Sequence, residues 1–108
     1  MSVFVKDGVL FTVIAPGGFR ILASIDTAAR VENLTITSAC DGEHSGPEDP
    51  HHKGEAYDIR SHDLQDKVRT LNAIMDALEM ERFFGFLEDA GTENEHIHIQ
   101  VKKGTTYP

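Results

Sequence analysis

The chain is poor in cysteine, in positive charge and in long apolar runs, and each shortage closes off a class of protein. Its 108 residues hold a single cysteine, Cys40, so no disulfide can form within the chain. That is compatible with a reducing compartment. Lys and Arg number 10 against 18 Asp and Glu, a formal net charge of −8. Such a balance opposes non-specific attraction to nucleic acid or to an anionic membrane. No stretch approaches the roughly 20 apolar residues that a spanning helix needs. The start, Met1-Ser2-Val3-Phe4-Val5-Lys6-Asp7, is broken by charge too soon to be a signal peptide. A cytoplasmic location is therefore expected. Repeats, low-complexity tracts and linkers are also missing. What remains is an ordinary globular composition, 40% hydrophobic and 26% charged, at a length that fits one domain over residues 1–108.

Periodicity outlines the elements. Val3–Val5 and residues 9–14 are β-rich runs flanking Lys6-Asp7-Gly8, which predicts a hairpin. Pro16-Gly17-Gly18 then reads as a break. Phe19, Leu22, Ile25, Ala28 and Ala29 recur at helical spacing, so a helix is expected over residues 19–31. Residues 34–37 predict a short strand. Residues 39–53 form a long loop rich in Gly, Pro, His and acid, and a loop of that length in a small domain is usually functional or mobile. Residues 55–59 predict a strand. Asp63 reads as an N-cap with Asp66 in the first turn, opening a helix whose face carries Leu64, Val68, Leu71, Ile74, Met75 and Leu78. Residues 83–87 and 95–102 predict two more strands, joined by residues 88–94 with Gly91 at the bend. Strands and helices do not alternate regularly, so the expected class is α+β, with a small antiparallel or mixed sheet flanked by two helices.

Six histidines stand out: His44, His51, His52, His62, His96 and His98. Neutral imidazole is a common zinc ligand. His96 and His98 lie two apart on a predicted strand and so share a face, while Ile97, Ile99 and Val101 fill the core side. A solvated strand face accounts for that pair equally well when it is taken alone. In His51-His52-Lys53-Gly54-Glu55-Ala56-Tyr57-Asp58, Gly54 permits a tight turn into the strand. Ala56 leaves room for an ion beside the Asp58 carboxylate.

Taken together, His51-x-x-Gly54-x-Ala56-x-Asp58-Ile59 and, some forty residues on, Glu95-x-x-His98 resemble the zinc D-Ala-D-Ala carboxypeptidase and dipeptidase family, whose core is shared with the Hedgehog signalling domain. The Hedgehog likeness is close in two places. One is the acidic run Asp41-Gly42-Glu43-His44-Ser45 before the His-to-Asp motif, and the other is His96-Ile97-His98 leading into Val101-Lys102. The likeness covers about residues 34–103. It implies zinc on His51, Asp58 and His98, with Glu95 as the general base. On a regular strand Glu95 points away from His98, because three is an odd step, and Glu93 is the substitute. His96 and His44 are the candidates for holding substrate or oxyanion. The peptidases carry an arginine within a Ser-Gly-Tyr-Arg-like run. Here that run is Ser38-Ala39-Cys40-Asp41, leaving Arg20 or Arg60 to replace it, and the family's aromatic pair before the last ligand is His96-Ile97.

The acids Asp41, Glu43, Glu48 and Asp49 are hard oxygen donors suited to calcium. The Hedgehog likeness points to Asp41 and Glu43 as calcium ligands, although no EF-hand spacing is present. The function implied is a zinc metallopeptidase acting on stem or cross-link peptides of peptidoglycan, reached at the cell wall by a route the sequence does not display. The alternative is a Hedgehog-like zinc module, with or without calcium, that recognises a protein partner and hydrolyses nothing.

Overall fold

The computed structural model of the chain describes residues 1–42, 46 and 48–105. Seven elements follow in the order β1 Val3–Val5, α1 Pro16–Ala28, β2 Leu34–Ser38, β3 Ala56–Arg60, α2 Lys67–Met75, β4 Phe83–Glu88 and β5 His96–Val101. The strands form one sheet in the order β1-β2-β3-β5-β4. β1 runs parallel to β2, and every other pairing is antiparallel. The class is thus α+β with a mixed sheet and two helices, as composition and periodicity predicted. No helix among the described residues is long and apolar enough to cross a membrane.

Both helices lie over one face of the sheet, α1 against β3 and β5 and α2 against β4. That face carries Tyr57, Ile59, Ile97, Ile99, Val101 and Phe83, packed on Ile21, Ile25 and Ile74 of the helices. Burying each such side chain contributes about 1.5–3 kcal/mol, which fixes which face of each strand turns inward. Gly85 has no side chain for a packing reason: a Cβ there would crowd Ile99 Cδ1 and, at 2.9 Å, Met75 Sδ, so glycine lets α2 approach β4.

Several expected boundaries move, and each shift has a cause. Residues 9–14 form no strand. The partner of β1 is β2, joined further by Leu34 N–H to Ser2 O (3.1 Å) and Lys6 N–H to Ile36 O (2.9 Å). The segment after Gly8 instead runs beside the long loop, where the Cys40 N–H donates to Leu10 O at 2.8 Å. α1 begins three residues early, because Pro16 at its first turn is a good starter and not a breaker. Gly18 lies inside the helix, where a Cβ would collide with Gly54 O and the Tyr57 hydroxyl. The buried stripe is therefore Gly18, Ile21, Ile25 and Ala28, and Phe19 is exposed. In α2 the N-cap is Asp66, not Asp63: its carboxylate accepts from Arg69 N–H at 3.0 Å. Val68, expected on the inner face, is exposed.

Candidate metal centre

The sheet face opposite the helices holds the site, and register builds it. Three cross-strand rows run across β3, β5 and β4: Arg60-His96-Glu88, Asp58-His98-Phe86 and Ala56-Gln100-Phe84. Carboxylates and imidazoles thus become neighbours through antiparallel pairing alone. His51 reaches in from the loop before β3, buried like Asp58 and His98. The loop is anchored close by: Gly54 takes φ +72°, and a Cβ there would strike Val13 O. Asp49 Oδ1 accepts from the His51 N–H at 2.9 Å.

Distances converge on the Asp58 carboxylate. His98 Nδ1 lies 2.8 Å from Asp58 Oδ1, and His51 Nε2 lies 3.4 Å from the same oxygen. The two rings meet edge to face with centroids 5.2 Å apart. His96 Nε2 is 3.6 Å from Asp58 Oδ2 and 2.9 Å from Glu88 Oε1, which is itself 3.6 Å from His98 Nδ1. Asp58, Glu88, His96 and His98 each offer a donor atom, all within 4.8 Å of one another, an arrangement able to hold a metal ion.

The tautomers strengthen this. His51 Nδ1 sits 2.8 Å from Ala39 O, His96 Nδ1 2.7 Å from Asn94 O, and His98 Nε2 2.8 Å from Gln100 Oε1. The Gln100 amide is oriented by its own N–H donating to Val101 O at 3.2 Å. Carbonyl oxygens only accept, so each of these ring nitrogens carries the hydrogen. In the neutral rings the lone pairs then fall on His51 Nε2, His96 Nε2 and His98 Nδ1, and each faces a carboxylate oxygen. Lone pair against carboxylate is repulsive unless a cation lies between. An outer N–H held by oxygen is also how metal-bound histidines are oriented. Imidazole with carboxylate suits divalent first-row metals.

Without a metal, the surroundings of His96 and His98 favour their protonated rings. Burial lowers the pKa of His98, but the hydrogen bonds with Asp58 and Gln100 and the charges of Asp58 and Glu88 raise it above its usual value. His96 behaves likewise: burial is outweighed by the Asn94 carbonyl, Asp58 and Glu88. For Asp58, burial pushes the pKa up, yet hydrogen bonds from His51 and His98 and the charges of His51 and His96 hold it well below the carboxylate range.

The structure brings His51, Asp58, His96 and His98 together. It does not bring Glu95 to them. Glu95 shares the strand parity of Ile97 and turns to the helix side, where Lys67 Nζ bonds both carboxylate oxygens at 2.8 Å. Ser61 Oγ donates to it at 2.8 Å and the Gly91 N–H at 2.9 Å. Glu93 is exposed in the turn, with its carbonyl 3.0 Å from His62 Nε2. Asp41 accepts from the backbone N–H groups of Ala39 (2.8 Å) and Leu10 (3.3 Å), so it steadies the residue whose carbonyl holds His51. Glu43 and His44 lie outside the described residues. Arg20 is bound to Glu79 at 2.7 Å, whereas Arg60 stands in the His96 row. The Cys40 thiol donates to Val13 O at 3.3 Å.

Glu88 is the site residue that sequence reasoning missed. It was assigned to the turn, yet it continues the alternation of Phe84 and Phe86. The observed register centres the hairpin on Thr92, one residue past the Gly91 bend, and that sets Glu88 opposite His96. A larger hollow of about 600 Å³, between the end of α1 and α2, has no histidine among the described residues of its walls. The fold and site together define an α+β protein with a cluster of histidine and carboxylate that could hold a metal ion. Comparison with protein-family models, with curated proteins and with solved structures finds no match.

Proposed function

We propose that the chain is a zinc-dependent peptidase in which His51, Asp58 and His98 hold the metal, Glu88 is the general base and His96 binds the carbonyl oxygen. One observation carries this. Asp58 Oδ1 is approached by His51 Nε2 at 3.4 Å and His98 Nδ1 at 2.8 Å, while the outer nitrogen of each ring is already held by an oxygen. Two neutral imidazoles and one carboxylate leave a divalent ion a net positive charge and room for a further ligand. Zinc, when bound, supplies Lewis acidity toward water and toward a peptide carbonyl. Glu88 stands at the lip of the site with its side chain 41% exposed, placed to accept a proton from water and to pass it to the leaving amine. His96, protonated, offers an N–H to the developing oxyanion. The likeness to D-Ala-D-Ala peptidases supplies the substrate class, peptidoglycan stem or cross-link peptides.

The test is direct. About one zinc per chain should co-purify, and His51→Ala or Asp58→Ala should abolish it. Glu88→Gln should keep the zinc and lose hydrolysis of peptidoglycan peptides by about 10²-fold or more. Full zinc content in both ligand variants would overturn the ligand assignment.

A second reading is a zinc module that recognises a protein and cuts nothing. It is favoured by the engagement of Glu95 with Lys67 and Ser61 and by the missing arginine in the run from Ser38 to Asp41. Zinc-loaded wild-type protein that releases no amine from such peptides would decide for it.

A further inference from the structure

We propose that the cleft over the metal centre accepts a peptide presenting a primary amine, from a free N-terminus or a lysine-type side chain, and not a free C-terminal carboxylate. This rests on the proposed metal site and names the substrate chemistry that suits it.

The cleft encloses about 430 Å³. Asp49 and Pro50 form its loop-side wall, Phe84, Phe86 and Asp89 its β4 wall, and the metal cluster its floor. Among the described residues, its lining holds the carboxylates of Asp49, Asp58, Glu88 and Asp89 and no lysine or arginine. One divalent ion and the protonated His96 offset three of these four charges and leave a net charge of −1. In the sequence, Lys53 is the one Lys or Arg of the loop over residues 39–53. Lys53 is paired with Glu48 at 3.1 Å. Arg60 shares the His96 row but is not part of the lining. A substrate carboxylate would therefore meet like charge, and an ammonium would meet the opposite charge.

Asp89 sharpens the point. It alone among the described non-glycine residues has positive φ, at 53°, a conformation that aspartate tolerates better than most and that clusters at functional sites. Its carbonyl accepts from Thr92 N–H (3.1 Å) and Thr92 Oγ1 (2.7 Å), which fixes the turn. Its carboxylate has no side-chain hydrogen bond or ion pair among the described residues. Beside it, Phe84 and Phe86 stack with centroids 6.0 Å apart, and Phe86 is 42% exposed. A lysine-type side chain matches this wall: its aliphatic stem covers the phenyl rings while its ammonium reaches Asp89.

The test uses short synthetic peptides of one sequence that differ in single groups: Lys or norleucine, free or acetylated N-terminus, acid or amide C-terminus. Binding to the zinc-loaded chain is measured calorimetrically in the cold, with mass spectrometry confirming intact peptide. Hydrolysis is followed separately. Peptides bearing an amine should bind about tenfold tighter than the acetylated norleucine peptide. The preference should weaken with salt, and C-terminal amidation should cost nothing. Whichever amine gives the gain identifies the source. Asp89→Asn should narrow the gap at unchanged zinc content. Asp89→Gly, which suits the left-handed backbone, should do the same if the asparagine variant folds poorly. Equal affinities, or loss of binding on amidation, would overturn the proposal. Amine-dependent binding without cleavage would keep it and remove the peptidase assignment, and cleavage without amine preference would do the reverse.

Discussion

Glu95 shows how completely a side chain's surroundings decide its role. It lies next to His96 in sequence, yet its carboxylate is spent on Lys67, the Gly91 N–H and Ser61, and these bonds draw its pKa down to about 2. A carboxylate whose pKa falls on folding stabilises the folded state above its unfolded value, near 4.5, and loses that contribution as the pH drops toward 2. Glu95→Gln should therefore lower the melting temperature at neutral pH and flatten the loss of stability on acidification across that window, as thermal melts over a pH series would record. Should the variant melt like the wild type and lose only hydrolysis, Glu95 acts in catalysis, as the family likeness implied. Asp41 is a comparable case. Its acidity invites a cation, but in the fold it accepts from backbone N–H groups and supports Ala39, whose carbonyl orients His51.

Among the elements, the junction of α1, the long loop and β3 matters most, because it places His51. Gly54 touches Val13 and Ala15 from a left-handed backbone, its carbonyl accepts from the Ala15 N–H (3.2 Å) and the Tyr57 hydroxyl (3.1 Å), and Gly18 of α1 packs against it. Burial, with the nearby Cys40, pushes the Tyr57 phenol up to about 12, so this bond keeps its hydrogen throughout the physiological range. Gly54→Ala should cost about 1–3 kcal/mol in denaturant unfolding, through strain at positive φ and the clash with Val13. It should also weaken zinc binding, since the His51 segment must move. Unchanged metal affinity would mean that the loop is positioned by other contacts. The β4–β5 hairpin does the complementary work, laying Glu88, Phe86 and Phe84 beside His96, His98 and Gln100.

At the scale of the whole molecule, the helices cover one sheet face with apolar side chains and leave the other for chemistry. Buried carboxylates and imidazoles on that second face oppose folding unless a cation joins them. Metal should thus stabilise the fold strongly. Binding at a thousand times the dissociation constant is worth about 4 kcal/mol, on the order of ten degrees or more in melting temperature for a domain of this size. Adding a chelator should lower the melting temperature by that amount and readding zinc should restore it. A chelator-insensitive transition would show that the cluster binds no metal in the folded state.

By itself the sequence determined whatever depends on neighbours along the chain. The apolar periods of α1 and α2 and the alternation that buries Ile97, Ile99 and Val101 were legible, whereas the meeting of His51, Asp58 and His98 was implied only by the family resemblance. Period and short motifs are local quantities, set by backbone geometry. Only the tertiary structure decided that β1 pairs with β2 and not with residues 9–14. It also put Glu88 in the cluster in place of Glu95, and left the cleft walls acidic and aromatic with no arginine among their described residues. These outcomes depend on which strands are neighbours and in what register. Cross-strand pairing is settled by burial summed over distant segments, so no single stretch of the chain encodes it.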